Sequence, residues 1–290
     1  MKSPTFAYVR PESLAGALDL LHTAGPDARV LAGGQSLLPM LHMRLVRPET
    51  IIDINQIADL AGIELDDATL KIGAMTRYAV LEDDPLVARH APLLATAVRL
   101  IGDRQIRNRG TIGGSLAQAD PLGEMALVCL ALDASIGIRS AAGERVLPVD
   151  ELLLGAYTTD LEDEELLVDV RIPLRPRRGL VHEVTRRHND FAVVALAVIG
   201  EQTASGTWTE LRIAIAGLDD RAVLATEAAA SLTGGELDDA AIAAAAASCA
   251  ALGDPASDIR ASDEYRRHLI GVHVARVLRR LRSGEGVANA

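Results

Sequence analysis

The sequence predicts an α+β protein in two domains, and three observations predict it. Helical and strand-like apolar periods alternate through the first 172 or so residues. The segment Pro173-Leu174-Arg175-Pro176-Arg177-Arg178-Gly179 then sets two prolines and a glycine where neither period can continue. Beyond that break three β-rich runs come first and helices follow, which is the order of an α+β domain with a three-stranded antiparallel sheet. Boundaries are accordingly expected at 1–175 and 178–290, and a chain of 290 residues is long enough for both cores.

Pro11-Glu12-Ser13 opens the first helix, with Leu14, Leu18 and Leu21 on one face until Gly25 stops them. Arg29-Val30-Leu31-Ala32 is a short strand running into Gly33-Gly34, and Ile51-Ile52-Asp53-Ile54 is the next. Ile63-Glu64-Leu65 and Leu70-Lys71-Ile72 flank the polar turn Asp66-Asp67-Ala68-Thr69 as a hairpin. Helices are expected around 76–83 and 91–101, a glycine-bearing loop at 110–114, and a second hairpin at 135–149 with Ala142-Gly143 near its tip. After the break, 180–184, 191–199 and 211–216 read as strands, the last two flanking a turn at Ala204-Ser205-Gly206. The alanine-rich stretch 240–252 gains an apolar face from Leu237, Ile242 and Leu252 and reads as packed helix. The final helix sets Ile270, Val274, Val277, Leu278 and Leu281 on one side and arginines on the other.

Composition excludes several classes. No uncharged apolar run approaches the length of a membrane helix. Met1-Lys2-Ser3-Pro4 leads into Phe6 and Tyr8 without a signal segment, so a cytoplasmic location is expected. A formal charge of −11 argues against nucleic acid or an anionic membrane as the main partner, and seven aromatic residues are too few for base-stacking platforms. Cys129 and Cys249 sit in apolar or alanine-rich stretches as buried, inert thiols. There is no CxxC, so neither an iron–sulfur cluster nor a structural zinc is expected in this chain.

Two glycine motifs carry the chemistry. Ala32-Gly33-Gly34-Gln35-Ser36 follows a strand, and Thr111-Ile112-Gly113-Gly114-Ser115 precedes a helix-capable stretch. Paired glycines let a backbone take positive φ and approach a ligand closely, and consecutive free N–H groups make a nest for an anion. Ser36, Thr111 and Ser115 add hydroxyls able to donate to phosphate oxygens. An acidic chain can hold a dinucleotide this way, on backbone dipoles in place of lysines. Neither motif is a Walker loop or the GxGxxG of a Rossmann domain, and each alone is better explained by an ordinary turn. From spacing, the reading stops at two candidate anion cradles.

The motifs Ala32-Gly33-Gly34-Gln35-Ser36-Leu37 with Pro39, and Thr111-Ile112-Gly113-Gly114-Ser115 with Asp120-Pro121, resemble those of the FAD-binding medium subunit of carbon monoxide dehydrogenase and, more broadly, of xanthine dehydrogenase-type molybdenum hydroxylases. The resemblance begins at Phe6-Ala7-Tyr8-Val9-Arg10-Pro11 and includes Ile72-Gly73-Ala74-Met75-Thr76, Gly155-Ala156-Tyr157 and Ile172-Pro173. It runs on through Asp190-Phe191-Ala192 and Ala256-Ser257-Asp258 to Glu264-Tyr265-Arg266. It implies a vanillyl-alcohol-oxidase (PCMH)-type FAD-binding domain of two α/β subdomains, about 1–57 and 58–175, closed on one side by the C-terminal α+β domain. It also implies that residues 32–36 and 111–115 bind the FAD diphosphate and adjoining ribityl, that Ile101 and Leu167 line the adenine or flavin surroundings, and that Glu124 stands where the family has a cofactor-contacting aspartate. This sequence departs from the pattern in three places. Ser115 replaces an asparagine, Glu124 is one methylene longer than aspartate, and near His182 and Glu183 there is no counterpart of the lysine many relatives carry close to the flavin. No histidine lies in either glycine motif, so the FAD is expected to be non-covalent; His42 is the nearest, on an apolar helical stretch.

No Ser–His–Asp order, metal motif or carboxylate pair marks this chain as a self-sufficient hydrolase. By resemblance, a large subunit oxidises a small substrate at a molybdenum–pterin centre and a small subunit passes electrons singly through 2Fe–2S clusters to FAD, in a dimer of heterotrimers. The flavin then hands them to an external acceptor. A stand-alone flavin oxidase or reductase of the same fold, and a flavin-free scaffold, are the competing classes. Arginines concentrate at 99–109, net +3, and at 171–187, net +5; a solvated face and a docking surface are equally good readings of both.

Overall fold

The computed structural model describes residues 2–289. Its first sheet is parallel: β1 (Ala7–Val9) and β2 (Ala28–Leu31) flank β3 (Thr50–Asp53), with α1 (Leu14–Ala24) and α2 (Leu37–Met43) as connections. Helix α1 starts where Ser13 Oγ accepts from the Gly16 N–H at 3.1 Å and ends at Gly25, whose φ of 64° is open to glycine. Its Ala17, Leu18 and Leu21 pack on Ile52, Ile54, Ile57 and Leu60 to form a small core of their own.

The second sheet is antiparallel, built from β4 (Ile63–Asp66) and β5 (Thr69–Gly73) on one side. A run of helices then intervenes: α3 (Tyr78–Asp83), α4 (Pro85–His90), α5 (Pro92–Val98), α6 (Arg104–Arg107), α7 (Ile112–Gln118) and α8 (Glu124–Ala131). The hairpin β6 (Ser135–Ser140) and β7 (Gly143–Pro148), short α9 (Val149–Leu152), β8 (Leu153–Gly155), β9 (Thr158–Thr159) and β10 (Leu166–Pro173) follow. The strand order is β4-β5-β10-β6-β7, so β10 returns to the middle of the sheet. Two expectations are corrected here. Helix α4 lies between the two helices the sequence suggested, started by Pro85 and capped by Asp84 Oδ1, which accepts from Leu86 and Val87 N–H. Residues 112–114 are not loop: Thr111 caps α7, and both glycines lie in its first turn.

The third sheet pairs β11 (Arg178–Thr185), β12 (Ala192–Gln202) and β13 (Trp208–Ala216) antiparallel, as the three β-rich runs suggest. It has five strands, not three, because β14 (Val223–Leu224) and β15 (Val287–Ala288) add two-residue edges too short to show a period. Helices α10 (Thr226–Leu232), α11 (Asp239–Ala250) and α12 (Asp263–Arg282) cover one face. Side chains alternate between faces along a strand. Val194, Leu196, Val198, Ile213 and Ile215 pack on those helices, while Ala195, Ala197, Ala214 and Ala216 face the other way and join the core built on α8. Small residues on that face let α8 lie close, and Met125 to Ala131 are all buried between the two domains. Each large apolar side chain removed from water there contributes ~1.5–3 kcal/mol. Among the described residues, no helix is long and apolar enough to cross a membrane.

Candidate cofactor site

The two glycine motifs meet. A Cβ on Gly33 would stand 2.1 Å from the Arg109 carbonyl oxygen, and one on Gly114 would reach Thr111 Oγ1 at 2.7 Å and Ala32 Cβ at 3.4 Å. Gly113 abuts Ala74, whose Cβ would lie 2.5 Å from a Cβ built there. Gly33 and Gly113 therefore serve close packing against neighbouring backbone, and Gly114 makes room for the Thr111 side chain. Only Gly34 has positive φ, at 76°. This corrects the idea of two equivalent positive-φ loops.

The motifs also differ in free donors. The N–H groups of Ile112, Gly113 and Gly114 are already taken, by the carbonyls of Thr76 at 3.3 Å and Ala74 at 2.9 Å and by Thr111 Oγ1 at 3.1 Å. Thr111 is thus a buried helix cap. Across 33–36 no N–H donates to a backbone carbonyl among the described residues, while Gln35 Nε2 folds back on the Gly33 carbonyl at 3.1 Å. Ser36 precedes α2 without using its hydroxyl as a cap and is exposed. The unpaired donors all belong to the first motif, and the second packs behind it.

A polar network fixes the two motifs to each other, and its members were not singled out from the sequence. Asn55 Nδ2 donates to the Ala32 carbonyl at 2.8 Å and to Asp53 Oδ1 at 2.5 Å. Arg77 Nη2 donates to Asn55 Oδ1 at 2.5 Å, and Arg77 Nη1 to the Arg109 carbonyl. Tyr8 donates to Asp53 Oδ2. Burial pushes the Asp53 carboxyl up, yet the bonds from Tyr8 and Asn55 outweigh it and hold it below the usual range. Burial and the neighbouring Arg109 lower Arg77, leaving a half-buried cation behind the nest. The signal available was Asp53 and Asn55 at the end of an apolar strand; distant Arg77 gave none.

Of the remaining candidates, Ile101 and Leu167 are 8% and 4% exposed, inside the core that carries α7 and α8. Leu167 precedes Val168, whose carbonyl accepts from Ala74 N–H at 2.9 Å, next to Gly113. Glu124 heads α8, where burial pushes its carboxyl up to about 7 and Asp120 adds to the effect. Of the pair on β11, His182 faces α12 and meets His273 Nδ1 at 2.8 Å through its Nε2. Glu183 faces the first domain and feels the charge of Glu124.

Of the arginine-rich stretch, the three at the break are engaged within the chain, while Arg186 and Arg187 are exposed. Arg177 is buried and donates to the Leu132 carbonyl at 3.2 Å, Arg175 approaches Glu210 at 3.3 Å and Asp133 at 3.8 Å, and Arg178 donates to the Gly284 carbonyl at 3.3 Å. These side chains tie the two domains and the C-terminal segment together.

Unpaired backbone N–H groups beside a glycine-tight wall are the features an anionic, phosphate-bearing ligand needs. The comparisons with known proteins make that specific. Residues 4–175 match the FAD-binding domain in molybdopterin dehydrogenase, and residues 180–281 match the C-terminal domain of the carbon monoxide dehydrogenase flavoprotein. The 6-hydroxypseudooxynicotine dehydrogenase complex subunit alpha of Paenarthrobacter nicotinovorans is 39% identical, over 96% of this chain and 95% of its own. The carbon monoxide dehydrogenase medium chain of Hydrogenophaga pseudoflava is 37% identical, over 96% and 97%. The solved structure of quinoline 2-oxidoreductase from Pseudomonas putida 86 superposes with a TM-score of 0.93 at 36% identity, over 98% and 99%. The chain belongs to the FAD-binding, medium-chain family of molybdenum hydroxylase subunits.

Proposed function

We propose that this chain carries FAD, non-covalently, as the medium subunit of a heteromeric molybdenum hydroxylase. One observation carries the site assignment: the free N–H groups of 33–36, with Gly34 at positive φ, open against the wall of 111–115. In this reading Ala32, Gly33, Gly34, Gln35 and Ser36 receive the diphosphate, with Arg77 behind them as fixed positive charge. Thr111, Ile112, Gly113 and Gly114 shape the wall, and Ser115 gives a hydroxyl to the ribityl. Ile101 and Leu167 form the apolar backing that excludes water, and Glu124 meets the cofactor from the head of α8. Bound FAD supplies the exchange between single-electron carriers and a two-electron acceptor.

The assembly implied is a large molybdenum–pterin subunit and a small 2Fe–2S subunit, doubled as a dimer of heterotrimers in the cytoplasm. The names of the relatives, a complex subunit and a medium chain, support its multi-subunit character. The fold reading is a PCMH-type domain over 1–175, with subdomains of about 1–57 and 58–175, followed by 178–290; the separate parallel and antiparallel sheets support that division. The test is direct. Purified alone, the chain should show a flavin spectrum and release yellow supernatant on acid precipitation, whereas flavin left in the pellet would contradict non-covalent binding and a colourless chain the site itself.

A further inference from the structure

Asn55 lies just beyond β3, and its amide has one orientation that satisfies every neighbour. Nδ2 faces three acceptors: the Ala32 carbonyl at 2.8 Å, the Leu31 carbonyl at 3.3 Å and Asp53 Oδ1 at 2.5 Å. Oδ1 faces the Arg77 guanidinium, which has only donors to offer. The Asn55 N–H also donates to Asp53 Oδ1 at 2.9 Å, so backbone and side chain are both tied to one carboxylate. No peptide bond is cis, and in a trans peptide the C=O and the N–H point in opposite directions. Asn55 holds the carbonyl of the peptide joining Ala32 to Gly33, so the N–H of that peptide, on Gly33, is turned away from it. Gln35 Nε2 does the same one peptide further on: it holds the Gly33 carbonyl at 3.1 Å and turns the Gly34 N–H away. Neither N–H donates to a backbone carbonyl among the described residues. On its other side, Asn55 connects through Arg77 to the Arg109 carbonyl, the atom that leaves no room for a Cβ on Gly33. One side chain thus fixes the direction of the Gly33 N–H and ties the first motif to the backbone packed against it.

We propose that Asn55 is the positioning residue of the phosphate nest, aiming the Gly33 N–H at a diphosphate oxygen by holding the opposite end of its peptide. The inference rests on the FAD reading above and deepens it. Asn55 spends its own donors on the chain, so its part is to direct a donor that belongs to the backbone. A peptide held in place before the ligand arrives loses no freedom when the ligand binds, and that saving appears as affinity. Gln35 steadies the Gly34 peptide from within the motif, whereas Asn55 acts from the neighbouring strand and reaches the second motif as well.

The experiment uses the full chain with isotope-labelled glycine, and titrates it with FAD and with inorganic pyrophosphate. Affinity is read by calorimetry and the individual N–H groups by nuclear magnetic resonance. In wild type the Gly33 and Gly34 N–H resonances should move downfield as either ligand binds. Asn55→Asp keeps an acceptor for Arg77 but turns the donor that holds Ala32 into a second acceptor; Asn55→Ala removes that donor without adding charge. Both variants should bind both ligands about tenfold more weakly, the value of one well-placed hydrogen bond. Both should lose the Gly33 response while glycine resonances far from the motifs stay where they are in wild type. Wild-type affinity with an unchanged Gly33 response overturns this inference alone, and so does weakening by Asn55→Asp but not by Asn55→Ala, which would assign the effect to the added charge. Weaker binding with glycine resonances disturbed throughout the chain also overturns it, since Asn55 would then be a structural tie and nothing more. A wild-type chain that binds neither FAD nor pyrophosphate overturns the functional reading together with this inference.

Discussion

At the scale of single residues, the glycines of the two motifs do different work, and substitution separates them. Gly34→Ala should lose flavin while unfolding within ~1–2 kcal/mol of wild type, because a side chain at φ 76° strains the turn that aims the N–H groups. Gly113→Val should instead destabilise the chain by at least ~1–3 kcal/mol, since its Cβ meets Ala74 in the interior. Urea unfolding of the two apo variants, beside their flavin occupancy, tells the modes apart; equal flavin loss with equal destabilisation would contradict the distinction. Glu183 makes a pH prediction with a definite sign. Its folded pKa is raised to about 8, so the native state holds a proton that the unfolded chain gives up at ordinary carboxylate pH. Stability therefore falls as pH rises from about 5 to 8 and levels off above that. Glu183→Gln should flatten that slope and be more stable than wild type at pH 8, by on the order of 1–3 kcal/mol. Parallel slopes for the two proteins would show that burial does not raise this carboxyl.

At the scale of elements, what was legible in the sequence is what repeats with a period. The amphipathic faces of α1 and α12, the hairpins β4–β5 and β6–β7, and the three long strands of the last sheet all carry one. Several elements that stayed hidden lack it: α4 is a short capped helix set off by a proline, β14 and β15 are two residues each, and α7 begins inside Gly-Gly, which favours a turn until Thr111 and the carbonyls of Ala74 and Thr76 take its N–H groups. Strand β10 went unread despite alternating Val168, Val170 and Ile172. The arginines at the domain break illustrate the limit from the other side. Their cluster in the sequence left a solvated face and a docking surface equally open, and the chain holds Arg177 and Arg178 on its own carbonyls and Arg175 beside Glu210. Arg177→Glu should consequently cost at least ~3 kcal/mol, since it buries an unpaired carboxylate, while Arg104→Glu on the exposed α6 should stay within ~0.5 kcal/mol. Thermal unfolding of the two variants reads the difference, and a stable Arg177→Glu would return the stretch to the surface.

At the scale of the whole molecule, the α-helical insertion between the halves of the second sheet presents α8 to the alanine face of the third, and this joint puts Glu124 opposite Glu183. The first glycine motif leaves its N–H groups unpaired against the second, and among the described residues there is no cluster of three or more metal-ligating side chains. The chain's membership of the FAD-binding medium-chain family is what ties it to a cofactor and to partner subunits. The measurement that bears on this most directly is flavin and metal analysis of the tagged chain, purified alone and from cells that co-express its partner subunits. Alone it should carry one FAD and show little substrate oxidation; in the complex it should carry FAD with molybdenum and iron in stoichiometric amounts and turn over. Full oxidase activity from the isolated chain, with no metal-bearing partner retained in the complex, would contradict the account.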